Sequence, residues 1–474
     1  MANDKALEKV ISLLGKSIEY DDHGLMVVDE EQARANIGEW ARVSALGSGE
    51  EQAWARYLTR LLALDLGAVP ASIHDLYLAR GRGEVPPIFT VPAMNLRALS
   101  YDAACAVFRD AMKIDAGAFI FEIARSEIGY TGQRPAEYAT NILCAAIAEG
   151  YQGPVFIQGD HFQVSAKAYK ADPKKEIQTL EALTAEALSA GFFNIDIDSS
   201  TLVDLSLVGE REQQRLNAVV TAHFTEFIRQ RSPEAVTVSI GGEIGEVGGR
   251  NSNEAEMRAY IEEYAEALTS RAPGMVGLSK ISIQTGTSHG GVVLPDGTLA
   301  KVKVDFDTLY KLSQVARDSF GFAGAVQHGA STLPETAFGK FVEAEACEVH
   351  LATNFQNMCY DCLPEPFMSA VYLHVNQKFG KDRKPEQTVE QFHYSFRKQA
   401  LGTFKADLWN LDKKTKAQIV KNWEDQFAFL FEKLAIAGTR KYVDQFVRAP
   451  MVMPSKGYYF GGEAEREEVK DLAD

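Results

Sequence analysis

The chain has 474 residues, 46% of them hydrophobic, and a formal net charge of −16. It is long enough for one large domain with extensions, or for two or three domains, and has side chains enough for a sizeable core. The acidic balance excludes nucleic acid as the main partner, because the chain as a whole repels a polyanion, but it leaves room for a local pocket that takes a small phosphate.

The opening stretch MANDKALEKV lacks the apolar core of a secretory signal, and no apolar run is long enough to cross a bilayer. Cys105, Cys144, Cys347, Cys359 and Cys362 make no disulfide framework, so a cytoplasmic setting is expected. Cys359 and Cys362 form a C-x-x-C without a second pair or a redox context, and are read as packing residues.

Residues 1 to about 85 read as helical, since ALEKVISLLG and EQAWARYLTRLLALDLG carry apolar residues at helical spacing. Gly81, Gly83, Pro86 and Pro87 then punctuate the chain. Eight short apolar runs follow, namely PIFTVPA, GAFIFEI, PVFIQGD, FFNIDID, VTVSIGGE, SKISIQTG, GFAGAVQH and CEVHLAT. Helix-like segments separate them at 101–115, 134–149, 174–190, 208–230, 254–270, 306–318 and 334–344. Eight strands alternating with helices predict a closed (β/α)8 TIM barrel. The expected organisation is a helical N-terminal extension (1–85), the barrel (86–380) and a helical C-terminal extension (381–474). Within the last, NWEDQFAFLFEKLAIAG reads as a buried helix and EREEVKDLAD as a solvated tail.

Three histidines stand at predicted strand ends: His161 after the third run, His289 after the sixth and His328 after the seventh. The C-terminal ends of barrel strands share one rim, so these imidazoles are expected to converge on a divalent metal, zinc first and another divalent ion second. Asp160 precedes the first histidine and is placed to move a proton beside the metal, or else to orient a ligand. Asp198 ends the fourth run and Glu243 the fifth. Glu243 opens the glycine-rich stretch GGEIGEVGG, and is read as an extra metal ligand or a base. Small residues follow the later strands, where barrels commonly hold phosphate. Gly290, Gly329, Ser331 and Thr353 are the donors expected there, with tight turns as the plain alternative. The remaining histidines at 23, 74, 223, 374 and 393 have no such context.

Taken in order from about Pro87 to Tyr360, the segments VPAMN, RSE, PVFIQGDHF, AGFFNIDIDSS, GGEIGEVGG, GTSHGG, QHGAS and CEVHLATNFQ resemble the class II, zinc-dependent ketose-bisphosphate aldolases. The resemblance implies a TIM-barrel lyase that reversibly cleaves a ketose (bis)phosphate such as fructose 1,6-bisphosphate to dihydroxyacetone phosphate and an aldehyde. It implies catalytic zinc on His161, His289 and His328, with Glu243 meeting displaced zinc. Asp160 would be the acid/base on the C4 hydroxyl. Asn95, Ser126 and the residue at 350 would contact substrate, and Gly290, Gly329, Ser331 and Thr353 would hold its phosphate, near which a monovalent cation often assists. A homo-oligomer is the assembly expected. Two other readings are a subunit that supports a partner aldolase without catalysing, and an aldolase for another ketose phosphate such as tagatose bisphosphate. The chain departs from the pattern at Gln158, Arg97, Ala330, His350 and Ala352, with Asn354 following Thr353. The metal and proton-transfer core is therefore retained on an altered substrate shell, and Arg97 is expected to add an anion-binding group on the rim.

Overall fold

The computed structural model describes residues 2–245, 250–286, 294–295 and 304–461, and its centre is a closed barrel of eight parallel strands. Near the N-terminus β1 (Ile18–Asp21) and β2 (Gly24–Val27) make an antiparallel hairpin, and β3 (Ala68–Ala71) joins the main sheet. The barrel strands are β4 (Val91–Asn95), β5 (Ile120–Ala124), β6 (Gly153–Gln163), β7 (Asn194–Asp198), β8 (Ser239–Glu243), β9 (Lys280–Ile283), β10 (Ala325–Gln327) and β11 (Glu348–Leu351). Each pairs with the next, and β11 pairs back onto β4 to close the ring. Each overlaps one of the apolar runs predicted as strands, β4, β5 and β6 extending past theirs, and helices fill the predicted intervals.

The N-terminal segment is mostly helical, but it also carries the hairpin and β3. β3 runs parallel to the first four residues of β6, below the point at which β7 begins to pair. Asn194, the first residue of β7, stitches the exchange: its amide donates to the carbonyls of Ala71 (3.2 Å) and Ile157 (3.1 Å), and its Oδ1 accepts from the Ile73 amide (2.9 Å). Ile73 and, on the helix His74–Gly81, Leu76, Tyr77 and Ala79 share one buried cluster with Val91, Ala93, Ile120, Phe156 and Val326 of the strands. The barrel core is therefore completed from below by this segment.

In the C-terminal part, helix Lys413–Lys433 buries Ile419, Trp423, Phe427, Leu430 and Phe431 at one-face spacing, as predicted for the aromatic-rich stretch. Its Trp423 indole donates to the Phe355 carbonyl at 3.0 Å, tying it to helix Thr353–Cys362, which follows β11. Cys359 and Cys362 lie on that helix as free thiols, consistent with packing.

β6 departs from regular pairing. Between Gly159 and Phe162 three residue steps oppose two on β7, which is a bulge, and His161 sits in the left-handed region at φ 37°. A non-glycine residue there costs on the order of 1–3 kcal/mol, and such residues concentrate at functional sites. In a regular strand Asp160 and His161 would face opposite ways; the bulge turns both toward the C-terminal mouth. Gly159 makes room for it, since a Cβ there would lie 2.5 Å from the Phe162 ring.

Candidate active site

The C-terminal rim brings together Asp160 and His161 of β6, Asp198 ending β7, Glu243 ending β8, His328 just after β10 and His350 on β11. The rings of His161 and His328 lie 4.2 Å apart, and those of His328 and His350 4.0 Å apart. One nitrogen of each of the first two is already engaged. His161 Nδ1 lies 3.1 Å from Asp198 Oδ2 and 3.2 Å from Glu243 Oε2. His328 Nε2 lies 3.0 Å from the Ser282 hydroxyl. The opposite nitrogens, His161 Nε2 and His328 Nδ1, flank Asp160 Oδ1 at 4.0 and 3.9 Å. A partner on the far nitrogen fixes the tautomer and ring orientation of a metal-binding imidazole, and both rings have one.

The charge around these rings suits a cation. Burial opposes the charged form of His161, but the carboxylates of Asp160, Glu243 and Asp198 outweigh it and hold its pKa well above the usual histidine value. Burial and the neighbouring Asp198 push Glu243 up to about 7, against the pull of His161. Two sets here, Asp160–His161–His328 and His161–Asp198–Glu243, have ligand atoms within 4.8 Å of one another.

Below the rim lies a polar layer that the apolar runs of the sequence concealed. Lys280 of β9, fully buried, donates to Gln158 Oε1 (2.8 Å), Asp196 Oδ2 (2.9 Å) and Glu348 Oε1 (2.5 Å). Gln158 donates in turn to Glu122 Oε2 and Glu348 Oε1, both at 3.0 Å, and the Tyr77 hydroxyl donates to Glu348. Against burial, Lys280 and His350 keep Glu348 ionised, while burial raises Asp196 to about 6. Gly241 is needed beside this layer, because a Cβ would lie 2.3 Å from Asp196 Oδ1. Removing one partner of a buried ion pair leaves the others uncompensated, at about 3–5 kcal/mol. Lys280→Met should therefore lower unfolding stability by about that amount in chemical denaturation; a change under about 1 kcal/mol would mean the layer is not a paired network.

His350 links the layer to the rim. Its Nδ1 lies 3.0 Å from Glu122 Oε2 and 3.1 Å from Asp160 Oδ1, and its Nε2 2.6 Å from Glu348 Oε1. The cavity above is lined by Asn95, Arg97, Glu122, Glu127, Asp160, His161, His328, Gly329, Ser331, His350, Ala352 and Thr353. Gly329 takes a left-handed φ of 66°, and the Ser331 hydroxyl accepts from the Thr353 amide at 3.2 Å. Thr353 opens the ten-residue helix Thr353–Cys362, so the helix N-terminus faces this corner.

Ser126, in the first turn of helix Arg125–Thr131, is not among the cavity-lining residues; its neighbour Glu127 is. The reason is local: Glu127 turns back to accept from the Ala124 amide at 2.8 Å and from the Asn95 side chain, which directs that residue to the mouth. Arg97 lines the cavity, but its Nε and Nη2 bond Glu127 Oε1 at 2.7 and 2.6 Å and its Nη1 reaches Gln356 at 3.3 Å. Its charge is thus neutralised within the protein rather than offered to an anion. His289 and Gly290 lie outside the described residues. Glu122 and Lys280 each stand as one polar residue in an apolar run and read as ordinary strand positions until the barrel closes around them, and nothing in RSE marks Glu127, on the helix that follows, apart from its neighbours.

The family model described as Fructose-bisphosphate aldolase class-II matches residues 88–406, about two thirds of the chain. A search of curated protein sequences finds no match. Among solved structures, the fructuronate-tagaturonate epimerase of Cohnella laeviribosi is similar over 89% of this chain and 90% of its own, at 11% identity and a TM-score of 0.53. The fructose-bisphosphate aldolase of Campylobacter jejuni is similar over 76% of this chain and 93% of its own, at 17% identity and a TM-score of 0.45. At these identities the likeness concerns the fold. Among the described residues no helix is long and apolar enough to cross a membrane. The matched span contains every barrel strand and the whole rim, and the chain belongs to the class-II fructose-bisphosphate aldolase family.

Proposed function

We propose that the protein is a divalent-metal-dependent aldolase that reversibly cleaves a ketose phosphate to dihydroxyacetone phosphate and an aldehyde. The observation that carries this reading is the pair of imidazoles, His161 and His328, whose outer nitrogens are held by Asp198 and Ser282 while the inner ones flank Asp160. This donor set fits zinc, and His289 completes it in this reading, while Glu243, on the outer Nδ1 side of His161, is the base or the ligand that meets displaced metal. Bound there, the ion supplies Lewis-acid stabilisation of the negative charge that develops on the three-carbon unit. The protein groups do the rest. Gly329, Ser331 and Thr353, at the helix N-terminus, hold the phosphate, with a monovalent cation as an expected helper. Asp160 takes the proton of the C4 hydroxyl. The C3–C4 bond then breaks, the aldehyde carbonyl forms at C4, and the electron pair stays on the three-carbon fragment as an enediolate. A sugar phosphate is the small-molecule partner.

The shell around that centre bears on which ketose is used. His350 is engaged on both nitrogens by carboxylates, and Ala352 leaves space beside Thr353. In this reading fructose 1,6-bisphosphate is a working substrate but not the best one. The test is kcat/KM for fructose bisphosphate, tagatose bisphosphate and ketose monophosphates, in the wild type and in His350→Asn with Ala352→Asp. The double variant should change the order of preference. A wild type that favours fructose bisphosphate by a wide margin, or a double variant with an unchanged order, would end the specificity argument.

A further inference from the structure

The two extensions enclose a cavity of their own. Its volume is about 630 Å³, and it lies between helix Ala2–Leu13, the β1–β2 hairpin, helix Gly49–Asp65 and the segment that leads into helix Lys456–Phe460. Every residue that lines it falls outside 88–406, so it shares nothing with the barrel mouth or with the span that carries the family. We propose that this cavity binds a linear polyamine, a chain of ammonium groups separated by methylenes. The rings of Tyr20, Trp54 and Tyr57 form one wall, edge to face, with centroids 5.5 to 6.2 Å apart. Leu25, Leu61 and Leu64 continue that wall with aliphatic surface, which suits a methylene chain. The cavity is open to solvent on the side of the hairpin, where Asp21 and Asp22 are exposed and Tyr20 and Tyr57 are half-buried.

Charge selects the class of ligand. Asp21, Asp22 and Asp65 line the cavity, and among the described residues none of the three has an ion-pair partner. Asp21 Oδ1 accepts from the His23 amide at 2.7 Å, which fixes the hairpin turn. Burial, the hydrogen bond with Tyr57 and the charge of Asp22 push the Tyr20 hydroxyl up to about 12, so Asp22 is felt at the aromatic wall. One ammonium is already seated there: Lys456 Nζ lies 4.2 Å from the centre of the Trp54 ring and 5.6 Å from that of Phe460. An aromatic face attracts a cation through its quadrupole, and does so more strongly where water is excluded. Three carboxylates against this one ammonium leave two negative charges uncompensated, which excludes a phosphate ester or another anion. The three carboxylates are not among the groups whose ligand atoms converge closely enough to hold a metal ion. A compact cation needs such convergence, whereas a chain with several ammonium groups meets separated carboxylates one at a time. In this arrangement an ammonium of the ligand displaces Lys456, an exposed side chain, from the Trp54 face.

Isothermal titration calorimetry of the full chain at fixed ionic strength tests this, with spermidine as the probe and butane-1,4-diol and magnesium chloride as controls. Spermidine should bind at one saturable site per chain, and neither control should occupy or block it. Asp22→Asn with Asp65→Asn, both at exposed positions, should weaken spermidine by about tenfold or more. Lys456→Ala should tighten it by about threefold or more, because the ring face is vacated, and adding Trp54→Phe should cancel that gain. Removing an exposed lysine elsewhere, as in Lys413→Ala, should change nothing, which separates the ring contact from a general rise in negative charge. The absence of saturable spermidine binding would overturn the proposal. So would unchanged affinity in the double aspartate variant, or equal tightening by Lys456→Ala and Lys413→Ala. Competition by magnesium at matched concentration would reduce the site to an acidic patch, and binding of the diol would reduce it to an apolar one; either result overturns the assignment.

Discussion

Asp160→Asn is expected to keep its metal and its fold and to lose about 10²- to 10⁴-fold in kcat, the usual contribution of a positioned general acid or base. Asparagine matches the aspartate in size and can still accept from His350 Nδ1, which lies 3.1 Å from Asp160 Oδ1. What it cannot do is take a proton from the C4 hydroxyl. The position of Asp160 depends on the β6 bulge, which turns it toward the imidazoles of His161 and His328 instead of leaving one of the two neighbours pointing away. Metal content by elemental analysis, measured together with kcat, gives the decision. Metal loss as deep as in His161→Ala would mean that Asp160 serves the histidines and not the substrate.

Much of this arrangement is legible in the sequence itself. The runs around Val91, Phe121, Ile157, Ile195, Ile240, Ile281, Val326 and Val349 have the length and bulk of buried strands, and helical spacing between them forces parallel connections. Once the barrel is assumed, the strand-end positions of Asp160, His161, Asp198, Glu243 and His328 follow. What stayed hidden depends on tertiary contacts. β1, β2 and β3 are four residues each, and AVPA of β3 carries a proline that argues against a central strand; it pairs because β6 extends below β7. The bulge has no signature beyond Gly159. Glu122, Lys280 and Glu348 lie on strands separated widely in sequence, and only closure brings their charges together. The ion pair that neutralises Arg97 likewise needs the turn of Glu127 back onto Ala124.

The other large effect concerns the metal. His161→Ala and His328→Ala should each lose bound ion and nearly all turnover, because each removes an imidazole ligand whose orientation Asp198 or Ser282 has already set. Ligand imidazoles must be deprotonated to bind metal, so affinity should fall as the pH drops below their range. The central claim is that this rim carries aldol cleavage through a bound divalent ion. Its most direct test is the release of dihydroxyacetone phosphate from a panel of ketose phosphates by the wild-type protein, first stripped with chelator and then reloaded with zinc or cobalt. The account predicts no release from the stripped protein and recovery on reloading, with one ion per chain at full activity. Full turnover by metal-free protein would contradict it.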